Sequence, residues 1–236
     1  MSCDSLHLLC AGAAKGLVGA LQTRFTQETG AQLRPRFGAV GAMKEALQAG
    51  EPCDVLVVTA ALIDTLAATG AVRGDTRAEL GRVGTGLAVR EGSPLPAVHD
   101  APALREALLA ADALYFPDPE RATAGIHFFG VLHRLGIAEE TAPRWRTYPN
   151  GATAMHELSA VGTRRSLGCT QITEIRYTEG VVLVGALPPG FELTTVYAAA
   201  LTRECARPAL AARFIELLSG PGSRAMRAAG GFEIGP

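Results

Sequence analysis

The sequence predicts an α/β chain organised in two lobes, and three observations predict it. In the first 70 or so residues, apolar strand candidates alternate with helix candidates, the pattern of parallel strands joined by right-handed crossovers. That rhythm breaks at Glu91-Gly92-Ser93-Pro94-Leu95-Pro96 and again at Pro188-Pro189-Gly190. Beyond the second break, a strand pattern at Glu192–Leu201 and an amphipathic helix at Pro208–Leu218 read as a return to the first lobe. Lobe 1 is therefore expected to comprise residues 1–84 and 192–236, and lobe 2 residues 85–191. Two hinge crossings would join them, and each lobe would be a mixed, mostly parallel sheet flanked by helices.

The elements follow in order. Leu6-His7-Leu8-Leu9-Cys10-Ala11 is a short buried strand running through Gly12-Ala13-Ala14-Lys15 into a helix over Gly16–Gly30. Leu17, Leu21 and Phe25 give that helix one apolar face, and Gly30 suits its C-terminal cap. A second strand around Ala31–Phe37 leads to a small-residue turn, Gly38-Ala39-Val40-Gly41, and a helix from about Ala42 to Ala49. Cys53–Thr59 is a continuous apolar run, as expected of a strand covered on both faces, and Ala61–Thr69 is helical up to Gly70. Val83–Val89 is a strand crossing into lobe 2. There the expectation is a helix at Ala101–Ala110, a strand at Ala113–Phe116, a loop over Pro117–Gly125 and a helix from Ile126 to Leu135. Pro149-Asn150-Gly151-Ala152-Thr153 is a turn with an N-cap candidate before a helix reaching Val161. A strand ending at Leu167-Gly168-Cys169 meets a short helix beginning at Thr170, Val181–Leu187 is the next strand, and Gly222–Ala229 is a last short helix.

Composition excludes several classes. Apolar residues make up 48% of the 236 and charged residues 19%, which favours a folded core over disorder. A net charge of −1 offers no basic surface for nucleic acid or anionic membrane. No apolar run approaches the roughly 20 residues needed to span a bilayer, so no membrane insertion is expected. The five cysteines are scattered, with no CxxC pair, and suit reduced thiols better than a disulfide framework. With Met1 as the native start the chain would be cytoplasmic; removal of a signal peptide would make it periplasmic.

Chemistry is expected where strands turn into helices. In open α/β sheets ligands bind outside the carboxyl ends of strands, and a helix start offers unpaired N–H groups and partial positive charge to an anion. Gly12, Ala13, Gly41 and Gly125 let a ligand approach the backbone, and Lys15 adds fixed charge. A lysine in a first turn is electrostatically poor unless an anion offsets it.

In ordered succession, Ala11-Gly12-Ala13, Phe37-Gly38-Ala39-Val40-Gly41-Ala42-Met43, Leu47–Val55, Asp118-Pro119-Glu120 with Ala124-Gly125-Ile126, Leu167-Gly168 and Gly230-Gly231-Phe232 resemble the substrate-binding proteins of molybdate-type ABC transporters. The resemblance covers nearly the whole chain. It implies a two-lobed, type II periplasmic-binding-protein-like fold that closes on a small anion without catalysis. It also implies a membrane component of an ABC transporter as partner, with neither cofactor nor metal, and a monomer.

In that family the oxyanion is held by two serines, backbone N–H groups and a tyrosine. By position, the serines fall on Ala13 and Val40 and the tyrosine on Gln171. The second-lobe alanine is kept as Ala124, and a further backbone contact falls within Gly151–Thr153. All three side-chain donors are thus replaced, and a buried oxyanion stripped of them would cost several kcal/mol. Lys15, Thr123, Asn150, Thr153, Thr170 and Gln171 lie beside the same strand ends and can donate. This chemistry suits a small organic acid better than molybdate, with Lys15 or Arg121 assisting a second carboxylate.

Two other readings compete. A cytoplasmic ligand sensor would use the same cleft and a cytoplasmic partner protein. An enzyme would need Cys169 or His127, yet burial explains the thiol and first-turn packing the imidazole more simply. Asp118 and Glu174 are read as capping or hydrogen-bonding groups, Trp145 and Tyr148 as packing residues, and no histidine spacing suggests a metal.

Overall fold

The structure is a computed structural model that describes residues 4–235; Cys3 and the expectation resting on Met1 lie outside them. Two compact units are present. Unit 1 holds the described residues up to Val83 with those from Thr195 onward, and unit 2 is Gly84–Thr194.

In unit 1, β1 (Ser5–Ala11) lies between β2 (Gln32–Gly38) and β3 (Val55–Thr59) and runs parallel to both. β9 (Thr194–Leu201) pairs antiparallel with β3, placing Tyr197 opposite Thr59, and the first part of β4 (Ala78–Arg90) follows it in the sheet. The period-2 alternation of strand side chains splits β1 between two cores. Leu6, Leu8 and Cys10 join Leu17, Leu21 and Phe25 of α1 (Lys15–Thr29) and Phe214 and Leu218 of α9 (Pro208–Ser219). Leu9 joins Met43 of α2 (Val40–Gln48) and Ile63 of α3 (Ala60–Ala68) on the other face. Phe25 and Phe214 meet edge to face at 5.1 Å between ring centroids. Both faces are covered, which is why Val55–Val58 is an unbroken apolar run. Gly30 ends α1 at φ 72°, the left-handed cap that a side chain would strain.

In unit 2 the sheet order is β4, β7 (Leu167–Gln171), β5 (Leu114–Pro117), β6 (Trp145–Tyr148), with β8 (Val181–Ala186) on β4. β5 is parallel to β6 and β7, while β4 is antiparallel to β7 and β8. α4 (Ala101–Ala110), α5 (Thr123–Arg134) and the short α6 (Ala138–Thr141) cover one core with Leu87, Phe116 and Cys169. α7 (Gly151–Val161) and α8 (Ile172–Tyr177) cover the other with Tyr115, Met155 and Leu158. In unit 1, α10 (Arg224–Ala229) closes the chain. Its buried Arg227 donates to the carbonyls of Leu80 (2.7 Å), Ser219 (2.7 Å) and Gly220 (3.1 Å).

The α/β class and the mixed sheets agree with expectation, but several boundaries are corrected. Val40 and Gly41 are the first two residues of α2, and Thr123, Ala124 and Gly125 open α5, where a turn and a loop were expected. Small residues read as loop, yet the first turn of a helix tolerates them because its N–H groups make no intrahelical bonds. Thr170 and Gln171 complete β7 and do not begin α8. β4 runs 13 residues, well beyond Val83–Val89. β6 was not anticipated. Trp145 and Tyr148 belong to it and also pack, Trp145 on Phe116 (5.8 Å) and Tyr148 stacked on Tyr115 (6.1 Å).

Candidate functional site

The helix starts fall into two groups. α3, α4 and α7 are capped by side chains in the ordinary way. Thr59 Oγ1 accepts from Leu62 N–H (3.4 Å), Asp100 Oδ1 from Ala103 N–H (2.8 Å), and Asn150 Oδ1 from Thr153 N–H (2.9 Å). The remaining described helix starts, those of α6, α9 and α10 among them, have no such cap, and four of the uncapped starts lie at the strand ends of interest. A 3-10 turn, Gly12–Ala14, joins β1 to α1 with Ala11 at its cap position. Ala39 precedes α2, Ala122 precedes α5, and Gln171 precedes α8, none making a side-chain cap bond. The 3-10 turn, α2 and α5 also carry no acid in the first turn. These are the ends of β1 and β2, the region after β5, and the end of β7, where the expected site residues lie.

In unit 1 those residues offer backbone and little else. Gly12 and Ala13 are buried, and Val40 and Gly41 are half-buried. Lys15 is the first residue of α1, half-buried, with Nζ 5.8 Å from the centroid of the Phe37 ring, within range of a cation–π contact.

In unit 2 the expected donors divide. Asn150 and Thr153 serve each other: Asn150 Oδ1 accepts from both the Thr153 N–H and the Thr153 hydroxyl (3.0 Å). Thr170 gives its hydroxyl proton to Glu174 Oε2 at 2.5 Å. Glu174 is buried beside the start of α7, because a Cβ on Gly151 would overlap both Thr170 Oγ1 and Glu174 Oε2. The Glu174 carboxyl group therefore stands beside the first turn of α7, and the donor role expected of Thr170 is already filled from within the unit. Gly125 likewise admits no approaching ligand through its missing side chain: the carbonyls of Pro117 and Asp118 fill that space. Asp118 Oδ1 accepts from the N–H groups of Glu120 (2.8 Å) and Arg121 (3.1 Å), so it folds its own loop, as expected of a capping group.

Gln171 is different. It is 2% exposed, yet neither Nε2 nor Oε1 has a hydrogen-bond partner. Thr85, its cross-strand partner in the β4–β7 ladder, and Thr173 in the first turn of α8 are buried with unpartnered hydroxyls as well. Buried polar atoms are nearly always paired, and each orphan costs about 1–3 kcal/mol. Thr85 and Thr173 were not singled out from the sequence. The available signal was polarity interrupting buried strand and helix surface: Thr85 ahead of Leu87-Ala88-Val89, and Gln171 and Thr173 at either side of Ile172.

The residues weighed as enzymic groups have structural duties. Cys169 is fully buried in a unit 2 core, and burial holds its thiol well above the usual range, far from a thiolate nucleophile. His127 Nε2 lies 2.7 Å from the Phe191 carbonyl oxygen, tying α5 to the segment after β8. A groove of about 560 Å³ opens at the opposite strand ends of unit 1, with His7, Glu51, Cys53, Asp54, Arg203 and Arg207 in its lining. It holds none of the expected residues. Its buried carboxylate, Asp54, accepts from the N–H groups of His7 (2.9 Å) and Ala206 (3.1 Å) and so closes the local backbone. Burial pushes the Cys53 thiol up to about 12.

The fold is a two-unit α/β one with mixed sheets flanked by helices. The profile of the bacterial extracellular solute-binding protein family matches residues 6–233, and the chain belongs to that family. Among solved structures, it is similar to the periplasmic molybdate-binding protein of Azotobacter vinelandii, with a TM-score of 0.79, 20% identity, and coverage of 98% of this chain and 100% of that one. It is also similar to the sulfate-binding protein SubI of Mycobacterium tuberculosis H37Rv, with a TM-score of 0.73, 15% identity, and coverage of 97% and 86%. In sequence it is 25% identical over 221 residues to an aconitate isomerase of a Pseudomonas species, covering 91% of this chain and 82% of that protein.

Proposed function

We propose that the chain captures a small organic carboxylate at its uncapped strand ends and performs no chemistry on it. One observation carries this reading: side-chain caps are missing at four of the five places where the family's oxyanion contacts fall, the 3-10 turn after β1 and the starts of α2, α5 and α8, while the fifth, α7, is capped by Asn150. Uncapped N–H groups with no acid beside them attract anionic oxygen. The loss of the family's serine and tyrosine donors at Ala13, Val40 and Gln171 argues against a bare oxyanion. Calorimetric titration of dialysed protein tests this with molybdate, sulfate, phosphate and a set of di- and tricarboxylates. A carboxylate should bind at micromolar concentration or below, and tight molybdate binding would refute the reading.

In this proposal the protein works outside the cytoplasm and passes its ligand to the membrane component of an ABC transporter, as family membership suggests. A cytoplasmic sensor is the alternative, and immunodetection in fractionated source cells separates the two.

The sequence likeness to an aconitate isomerase supports a second reading, in which the same site shifts a proton along an unsaturated tricarboxylate. Proton NMR of cis- or trans-aconitate incubated with the protein in D₂O would then show conversion with deuterium incorporation. An unchanged spectrum leaves capture alone.

A further inference from the structure

The polar groups left over in unit 2 specify more about the ligand than its charge. Among the described residues, the buried side-chain nitrogen and oxygen atoms without a partner include both ends of the Gln171 carboxamide and the hydroxyls of Thr85 and Thr173. All three residues are at most 5% exposed. Thr85 and Gln171 are register partners in the antiparallel β4–β7 ladder, so their side chains share one face of the sheet. Thr173 follows two residues later, in the first turn of α8. The remaining atoms of this kind, Ser93 Oγ and Arg77 Nε, lie elsewhere, and Arg77 Nε is 3.0 Å from Asp64 Oδ1.

We propose that the captured solute is an α-hydroxy carboxylate, recognised by Gln171 together with Thr85 and Thr173; this rests on the carboxylate reading above. A deprotonated carboxylate, like molybdate or sulfate, only accepts hydrogen bonds. It can serve the two amide N–H groups of Gln171 and both threonine hydroxyls, but it leaves the amide oxygen buried and unsatisfied. Either orientation of the amide presents one accepting and one donating end. A full match therefore requires a ligand with an acceptor and a donor on neighbouring atoms. An α-hydroxy carboxylate has that arrangement, its hydroxyl donating to Gln171 Oε1 while the adjacent carboxylate accepts from Nε2.

An ammonium could also donate, but the surroundings disfavour it. The three unpartnered side chains, Gln171, Thr85 and Thr173, are all neutral and offer a buried cation no carboxylate. A hydroxyl meets the hydrogen-bond requirement without adding positive charge.

Matched pairs isolate the hydroxyl. Malate and succinate share a skeleton, as do citrate and tricarballylate; aspartate replaces the hydroxyl by an ammonium, and trans-aconitate lacks it. In calorimetry near pH 7, at least one hydroxylated member should bind about tenfold or more tightly than its deoxy partner, the effect of one well-made buried hydrogen bond. In Gln171→Leu that ratio should fall to about one. Thr173→Val, a near-isosteric change, should weaken hydroxylated and deoxy members alike, since its hydroxyl is assigned to the carboxylate. Equal binding within both pairs overturns the proposal. So does a preference that survives in Gln171→Leu, or tighter binding of aspartate than malate or of trans-aconitate than citrate. The two readings fail differently: if deoxy acids bind as well as hydroxy acids, capture of a carboxylate stands and the hydroxyl requirement falls, whereas if no carboxylate binds, both fall.

Discussion

Unit 1 and unit 2 present opposite chemistries at their uncapped strand ends. In unit 1, Gly12, Ala13, Val40 and Gly41 supply main chain, with Lys15 alone adding charge. Recognition built this way reads negative charge and shape but discriminates poorly among anions, because every residue type offers the same N–H. In unit 2, a carboxamide and two hydroxyls are buried at the end of β7 with unspent hydrogen-bonding capacity. Such groups penalise a ligand that leaves them unmet. On the proposed reading, the main chain of unit 1 would answer to charge and the buried polar groups of unit 2 to hydrogen-bond pattern.

Breaking the unit 2 side gives the largest expected effect. Gln171→Leu should lower affinity for the preferred carboxylate by at least tenfold. It should also raise the stability of the ligand-free protein by about 1–3 kcal/mol, since it removes a buried amide with neither end paired. Calorimetry and urea unfolding measure the two, and a stability loss with unchanged affinity would reassign Gln171 to the core.

The next test converts one kind of helix start into the other. Ala39→Asp in unit 1 and Ala122→Asp in unit 2 should each add a cap worth about 0.5–2 kcal/mol while weakening carboxylate binding about tenfold, because the new carboxylate occupies the amides. Removing an existing cap should do the reverse: Asp100→Ala should cost about 1 kcal/mol in urea unfolding and leave affinity unchanged. If Ala39→Asp binds like the parent protein, the backbone of unit 1 is not a ligand contact.

Gly125→Ala is a packing control for unit 2. Its methyl group would overlap the Pro117 and Asp118 carbonyls, so a loss of about 1–3 kcal/mol is expected by thermal or urea unfolding. The smallest effect concerns acid. Arg165 beside Asp112, helped by the Thr163 hydroxyl, holds that carboxyl below its usual value. Its contribution is present above the unfolded pKa of about 3.9 and is lost as pH falls through the lower folded value. Asp112→Asn should therefore show a slightly smaller drop in melting temperature between pH 5 and pH 3 than the parent.

Much of this was legible in the sequence. Strand–helix alternation, the Gly30 cap and the continuous apolar Val55–Val58 run are local signals, and each is met. β6 was missed because Trp145-Arg146-Thr147-Tyr148 alternates only weakly and gains its identity by pairing with β5, a tertiary event. The expected residues stand at strand ends and helix starts, and part of what their side chains do inside the protein emerges only from the fold. Asn150, Thr153 and Thr170 look from the sequence like donors beside a ligand. The structure directs the Thr153 donors at Asn150 Oδ1 and the Thr170 hydroxyl at Glu174, pairings only three and four residues apart that the N-cap pattern and helical spacing already offered. Gly125 was read as room for a ligand, whereas that room is taken by the Pro117 and Asp118 carbonyls.

The carboxylate lodged against Gly151 has a consequence of its own. That corner of unit 2 is closed by the chain's own side chains, Thr170 and Glu174, packed where a side chain at 151 would stand. Any larger residue at 151 would evict that carboxyl group, so the glycine and the acid constrain each other's replacement over time.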